Sequence, residues 1–365
     1  MTHIEIWVYP QCMASAVTGP LDVLTVANAV WAIRNKDAEF PLFSWSIRSL
    51  DGLPVRTPAQ FSLGVDGAIE MDSRADVVLL PGIYVGNGIK GLLETVHNLA
   101  PLMPLLRQRH ANGCLLASNC SASFLLAESG LLDGGQATTA WWLERAFQAR
   151  YPQVALKQAE VLVENQNIVT TGAATTYLNL AYHLLERFAG HDIATSVAKT
   201  LLIDANRASQ MPYMQLMEMT QQENQTHSDK LVHRAQKWMR QHSHLAFRLP
   251  ALANYLAVSE RTVIRHFHQI VDTTPASYAQ QIKMDIAKRL LETTTLTLEQ
   301  IAERTGYSDP SSFRRLFKRH SGLSPAAYRE KFGPVKRHKK GVGSIAATAT
   351  ATTTAASAAT AMTSP

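Results

Sequence analysis

The sequence predicts an α/β domain of mostly parallel, flavodoxin-like sheet, followed by an all-α domain that carries two helix-turn-helix units. Three observations carry this prediction. Short apolar runs alternate with helical patterns up to about residue 206, as in βα-built sheets. From Asp229 onward only helical periodicity remains. Within that second region one pattern occurs twice, 49 to 50 residues apart.

The elements follow in order. Ile4-Glu5-Ile6-Trp7-Val8-Tyr9 reads as a first strand, and Asp76-Val77-Val78-Leu79-Leu80 as a buried one stopped by Pro81-Gly82. Cys114-Leu115-Leu116-Ala117-Ser118 is a third, followed at once by a helical stretch from Ser121 to Glu128. Helical stretches Tyr177 to Phe188 and Asp192 to Asn206 close the domain. Parallel sheets bind ligands beyond the carboxyl ends of their strands. The loop after Tyr9, the Pro81-Gly82 loop and the turn at Cys120 are therefore the candidate segments. Residues 208–228, rich in Met and Gln with Pro212 inside, read as a linker. Leu231, Ala235, Trp238 and Met239 then mark one helix face. Residues 341–365 are almost all Ala, Thr, Ser and Gly, behind the basic run Lys336-Arg337-His338-Lys339-Lys340. Such a tail offsets little ordering entropy and is expected to be disordered. The division is 1–207, a linker 208–228, 229–332, and a tail 333–365.

Composition narrows the class. Hydrophobic residues at 46% and charged residues at 18% exclude wholesale disorder and a collagen-like fibre. Cys12, Cys114 and Cys120 are too few for a disulfide framework, which suggests a reducing compartment. The start lacks the basic region of a signal peptide, and no uninterrupted apolar run approaches about 20 residues. A cytoplasmic protein with no membrane partner is expected. The charge is uneven: residues 1–210 hold 14 Lys+Arg against 18 Asp+Glu, residues 211–330 hold 16 against 11, and residues 331–365 hold 5 against none. A basic C-terminal part after an acidic N-terminal one suggests a polyanionic partner.

The duplication sharpens this. Leu252-Ala253-Asn254-Tyr255-Leu256-Ala257-Val258-Ser259 aligns with Ile301-Ala302-Glu303-Arg304-Thr305-Gly306-Tyr307-Ser308. Downstream, Val263 pairs with Phe313 and Phe267 with Phe317, the extra residue falling near Asp309-Pro310. Each copy reads as a helix-turn-helix: small Ala253 and Ala302 admit close helix approach, and Ala257 and Gly306 sit in the tight turn. Ser259 caps the second helix of one copy; Asp309, with Pro310 behind it, caps the other. Arg261, Thr262, Ile264 and Arg265 form the exposed face of the first copy, and Ser311, Ser312, Arg314 and Arg315 that of the second. Arginine there suits bidentate contact with guanine. Tyr278, Ile282, Ile286 and Leu290 form one stripe of a connecting helix, which would set the units about 34 Å apart on successive major grooves.

Residues from about 230 to 332 resemble the DNA-binding domain of the AraC/XylS transcription regulators. The resemblance is carried by Ile301-Ala302, Gly306-Tyr307-Ser308, Phe313-Arg314-Arg315-Leu316-Phe317-Lys318 and Gly322-Leu323-Ser324-Pro325-Ala326-Ala327-Tyr328-Arg329. It implies that the second helix of each unit reads DNA, with the family's arginines at Arg265 and Arg315. His266 and His268 flank that face; no Cys or carboxylate sits at ligand spacing beside them, so no metal is expected.

In the first domain, Ala117-Ser118-Asn119-Cys120-Ser121-Ala122 has the form of a nucleophile elbow. A helix N-terminus there would stabilise the Cys120 thiolate, unless the turn is retained without chemistry. Residues 4–190 resemble the class I glutamine amidotransferase-like fold of the PfpI type, on Gly19-Pro20-Leu21-Asp22-Val23, Leu79-Leu80-Pro81-Gly82, the Cys120 turn and Gly130 through Thr139. The resemblance implies a histidine after the Thr138-Thr139 pair and often a glutamate in the first loop. Here Ala140 and Ala16 hold those places. A thiol without base or orienting acid is a poor acyl-transfer catalyst, so neither enzymatic activity nor a cofactor is expected.

The pairing of the two domains resembles the GlxA-type branch of regulators, which implies a small-molecule sensor that also supports dimerisation. Its pocket is expected in the old cleft, at Met13, Ser15, Gly82, Ile83, Asn119, Cys120, Trp141 and Ala173, with Trp141 or Trp142 stacking on an amine. Cys12 and Cys114 are expected to be packing thiols. The reading is a sequence-specific DNA-binding transcription regulator, an activator by expectation, that answers a metabolite such as an amino acid or amine. Promoter DNA, RNA polymerase and a second copy of the chain are its expected partners. The competing reading is a cysteine-dependent hydrolase or isomerase with a DNA-binding appendage.

Overall fold

The computed structural model describes residues 1–36, 39–71, 74–214 and 229–334. Most of the expected linker, 215–228, and nearly all of the expected tail, 335–365, lie outside the described residues.

Seven strands share one sheet: β1 (Thr2–Trp7), β2 (Phe43–Ser49), β3 (Gly67–Ala68), β4 (Val77–Leu80), β5 (Leu115–Asn119), β6 (Leu162–Asn165) and β7 (Ile168–Thr171). Their spatial order is β6-β7-β5-β4-β1-β2-β3, and every neighbouring pair is parallel except β6 with β7. β4 and β5 are buried at every position, which is why they read as unbroken apolar runs rather than alternating ones. In β1, Ile6 faces Ile47 on one side and Leu79 on the other, so this strand lies inside the sheet. Its carboxylate, Glu5, is wholly buried, accepts from Trp7 Nε1 at 2.9 Å and pairs with Arg109 at 3.2 Å.

The sheet is covered by α1 (Ser15–Arg34), α2 (Gly88–Asn98), α3 (Leu102–Ala111), α4 (Ser123–Glu128), α5 (Glu144–Arg150), α6 (Tyr177–Ala189) and α7 (His191–Leu201). Helix α1 spans 20 residues and is apolar enough to cross a membrane by length and composition. It instead buries Val17, Val23, Leu24 and Ala27 in the core and packs against α6 and α7. Helix α7 is shorter than the sequence suggested: Leu202 turns left-handed at φ 54° and ends it.

Beyond residue 229 every described element is a helix: α8 (Lys230–Gln241), α9 (Leu249–Leu256), α10 (Glu260–Val271), α11 (Pro275–Thr293), α12 (Leu298–Arg304), α13 (Pro310–Ser321) and α14 (Pro325–Phe332). They build two small cores. One gathers Leu252, Leu256, Val263 and Phe267 with Tyr278 and Ile282; the other gathers Ile301, Phe313, Phe317 and Tyr328 with Met284, Ala287 and Leu291. Helix α11 thus belongs to both, its first half to the first core and its second half to the second. The single stripe expected on it is therefore corrected. Ile286 and Leu290 are only partly buried, while Lys283, Asp285 and Lys288 are buried, because the helix is packed from two directions. The face of α8 is likewise rotated, with Val232, Ala235, Gln236 and Met239 buried and Leu231 and Trp238 only partly so.

Candidate nucleic-acid interface and candidate effector site

Each helix-turn-helix is closed by local chemistry. Ala257 sits left-handed at φ 59° and Gly306 at φ 73°, the two turn positions the repeat aligns. Only glycine fits the second: a Cβ there would lie 2.7 Å from Lys283 Nζ and 2.8 Å from the His244 carbonyl oxygen. The Ser259 hydroxyl accepts from Thr262 N at 3.2 Å, which caps α10. Asp309 accepts from Ser311 N at 3.0 Å and Ser312 N at 2.9 Å, and Pro310 follows as the first residue of α13.

The second helices of the two units present matching faces. From Arg261 to Gln269 and from Ser311 to Arg319, burial runs through the same succession of exposed, half-buried and buried positions. Val263, Phe267, Phe313 and Phe317 point into the cores, and Arg261, Ile264, Arg265, Ser311, Arg314 and Arg315 are exposed. Thr262 and Ser312 are half-buried, and their hydroxyls already have neighbours: Ser259 Oγ at 2.9 Å from Thr262, and Arg315 donating to Ser312 at 3.3 Å. Arg314 reaches Glu299 at 3.5 Å. Among the described residues Arg261 and Arg265 form no ion pair, which leaves two guanidinium groups free to meet phosphate or base edges. His266 is engaged inside the domain, with Nδ1 2.6 Å from Asp229 Oδ2.

The repeat continues past the second helix of each unit. Asp272 and Gly322, both left-handed, stand 50 residues apart. Thr274 and Ser324 then cap α11 and α14 ahead of Pro275 and Pro325, and Tyr278 and Tyr328 enter the two cores. The signal was present as Thr-Pro-Ala-Ser-Tyr against Ser-Pro-Ala-Ala-Tyr.

In the α/β domain, Cys120 lies at the strand-to-helix turn with φ 56°, flanked by the wholly buried Ser118 and Ala122. The stabilised thiolate is corrected here. Burial pushes the Cys120 thiol up to about 11, outweighing the Ser121 and Ala174 backbone N–H groups that favour the anion. Ala140 and Ala16 are both buried and supply neither base nor acid. Of the expected pocket residues, the structure brings Met13, Gly82, Ile83, Asn119 and Cys120 together. Met13 N donates to the Gly82 carbonyl at 2.8 Å, and a Cβ on Gly82 would lie 3.2 Å from Cys120 Cβ. Their polar groups are largely used: Ile83 exchanges hydrogen bonds with Ser121 Oγ, and Asn119 donates to Thr171 and Thr176 at 3.2 Å each. Ser15 is exposed at the start of α1, and Trp141 is buried edge-on against Trp142 at 5.4 Å.

Ala173 meets a residue that sequence reasoning placed in the linker. Its N–H donates to Gln210 Oε1 at 2.9 Å, while Gln210 Nε2 faces the Thr139, Gln158 and Glu160 carbonyls at 3.0 to 3.1 Å. Gln210 is 1% exposed, and a Cβ on Gly172 would overlap its carboxamide. Three residues on, Tyr213 lies edge-on to Phe332 of α14 at 5.2 Å, with the Arg207 and Lys331 cations over its ring. Residues 210–213 therefore touch both domains. Glutamine in a polar stretch gave no hint of this.

Two family profiles match the chain. The DJ-1/PfpI family profile matches residues 17–187, and a helix-turn-helix domain profile matches residues 252–331. The HTH-type transcriptional regulator CdhR of Pseudomonas aeruginosa is 29% identical over 286 residues, covering 78% of this chain and 81% of that protein. The HTH-type transcriptional regulator GlxA of Rhizobium meliloti is 25% identical over 232 residues, covering 62% of this chain and 69% of that protein. Among solved structures, an AraC family transcriptional regulator from Pseudomonas putida aligns with TM-score 0.45 and 18% identity, over 55% of this chain and 100% of that one. A DJ-1/PfpI domain thus stands ahead of an AraC-type helix-turn-helix domain, the make-up of a DNA-binding transcriptional regulator.

Proposed function

We propose that this regulator is a cytoplasmic activator of transcription that responds to a small metabolite bound in its α/β domain. In this reading it works as a homodimer on promoter DNA and makes contact with RNA polymerase. The observation that carries the DNA-reading part is the matched pair of exposed faces on α10 and α13, with Arg265 and Arg315 at equivalent places. Arg261, Thr262, Ile264 and Arg265 contact one half-site and Ser311, Ser312, Arg314 and Arg315 the next. The bridge formed by residues 210–213 supports the responsive part. A ligand that favours one arrangement of the α/β domain shifts the DNA-binding domain through it, since coupling requires differential affinity for two states. The cysteine-hydrolase reading finds no support in a Cys120 whose thiol burial pushes up to about 11, in a chain with alanine at positions 16 and 140.

The test uses a duplex selected by the full-length chain from a random pool. Arg265→Ala and Arg315→Ala should each weaken binding to that duplex by about 1–3 kcal/mol and relax preference at one base position each. Variants that footprint like the unchanged chain would show the recognition faces to be wrongly assigned.

A further inference from the structure

The exposed stripe of α10 holds one apolar side chain among polar and charged ones. Arg261, Ile264, Arg265 and His268 are all exposed and stand at i, i+3, i+4 and i+7, so they share one side of the helix. The equivalent stripe of α13 is Ser311, Arg314, Arg315 and Lys318, without an apolar member. The two copies therefore differ in the middle of the stripe: Ile264 stands where the second unit has Arg314, which lies 3.5 Å from Glu299. Single exposed apolar side chains are common on protein surfaces. Ile264 differs from them by its place, beside Arg261 and Arg265, neither of which forms an ion pair among the described residues. Ile270 is also exposed, but it lies six residues on and about 240° round the helix, off this stripe.

The major groove offers an isoleucine one apolar partner, the 5-methyl group of thymine. Guanine, adenine and cytosine edges present hydrogen-bonding groups there, which Ile264 would strip of water without replacing. The contact thus favours thymine and penalises the other three bases. Ile264 also loses little freedom on binding, because a β-branched side chain in a helix already keeps to one main χ1 rotamer. Four residues of helix rise about 6 Å, close to two base-pair steps of about 3.4 Å. Arg261 and Arg265 can therefore take separate base pairs, with Ile264 over one between or beside them.

We infer that Ile264 is a specificity-determining residue of the first unit, reading a thymine by its methyl group within about three base pairs of the position set by Arg265. The inference rests on the placement of α10 against base edges proposed above and adds the base that this unit selects. It also makes the two half-sites unlike, so that the DNA sequence sets the direction in which the chain lies on it.

The experiment uses the full-length chain and the duplex it selects from a random pool. Arg265→Ala first marks the α10 half-site, as the position at which base preference relaxes. Each thymine within about three base pairs of that position is then replaced singly by uracil, which lacks only the methyl group. One replacement should weaken binding about fourfold, the equivalent of one buried methyl group. Ile264→Ala should weaken binding to the thymine duplex by a similar factor or more and make the chain indifferent to uracil there. Alanine is the better helix former and the position is exposed, so the melting temperature should not fall. Ile270→Ala should keep full sensitivity to uracil. Three results overturn the inference and leave the recognition face of α10 standing: a marked half-site without thymine, uracil tolerated at every position, or uracil sensitivity that survives Ile264→Ala or is lost equally in Ile270→Ala. If Arg265→Ala relaxes no position, the recognition face itself is misassigned and both readings fall.

Discussion

The Lys283 ammonium donates to the carbonyl of Leu245 at 2.7 Å, tying the helix shared by both DNA-binding units to the segment that leads into the first of them. The same ammonium lies 5.2 Å from the centre of the Tyr307 ring, in the turn of the second unit. One buried cation therefore touches both units, and its burial pulls its pKa below the ordinary lysine value. Lys283→Met keeps much of the apolar stem but strands the Leu245 carbonyl. It should cost about 1–3 kcal/mol of stability, read as a lower urea midpoint. It should also weaken binding to a two-half-site duplex more than to a single half-site, because the relative placement of the units is loosened. An unchanged midpoint would mean that Lys283 merely fills space.

Gln210 and Tyr213 form a bridge with one foot in each domain, and this makes a double-mutant cycle informative. Gln210→Ala leaves the Thr139, Gln158 and Glu160 carbonyls without that donor, at a cost of about 1–3 kcal/mol. Tyr213→Ala removes the aromatic contact with Phe332 and both cation–π partners without touching the α/β domain's sheet. If the bridge acts as one unit, each change should shift DNA affinity in the same direction, and the double change should add little to either. A coupling energy of at least about 0.5 kcal/mol is expected. Strictly additive effects would mean that the two feet are independent.

What the sequence revealed depended on whether a feature is periodic or local. The alternation of strands and helices, the double turn at Ala257 and Gly306 and the caps at Ser259 and Asp309 depend on neighbouring residues, and all are present in the structure. The two-sided burial of α11 was hidden, because a helix packed from two directions carries no single stripe. The seat of Gln210 was hidden for a different reason. Its partners lie 37 to 72 positions away, and nothing in a Met- and Gln-rich stretch marks one amide as buried. The Cys120 turn was legible as backbone geometry but not as chemistry, since thiol acidity is set by burial and a helix N-terminus alone does not fix it.

Thiol chemistry at Cys120 is accordingly expected to be slow. With burial holding the thiol at about 11, iodoacetamide should alkylate Cys120 in the folded chain at least about tenfold more slowly than free cysteine at pH 7.5, the rate still climbing above about pH 9. Cys12 and Cys114, also buried and raised to about 11 and about 12, should behave alike, so peptide mapping is needed to assign the label. Cys120→Ala should leave DNA binding intact. Half-maximal alkylation of Cys120 below about pH 8 would reopen the enzymatic reading.

His320, on α13, makes the second DNA-binding unit sensitive to acid. Burial lowers its pKa below the ordinary histidine value, and the charges of Arg319 and Lys288 lower it further. Its Nε2 lies 3.4 Å from Gln280 Oε1 on α11, at the junction of the two helices. Above about pH 6.5 the ring is neutral in both the folded and unfolded chain and contributes nothing to pH dependence. As pH falls below that value the unfolded chain takes up the proton first, so stability declines until the folded-state pKa is passed, where the loss levels off. Melting temperature measured from about pH 7.5 to 5 should fall more for the unchanged chain than for His320→Gln, which keeps a hydrogen-bonding amide and cannot titrate. Hydrogen exchange should place the acid-sensitive opening in α13 and α14 rather than in the sheet. Parallel pH profiles for the two chains would remove His320 as the cause.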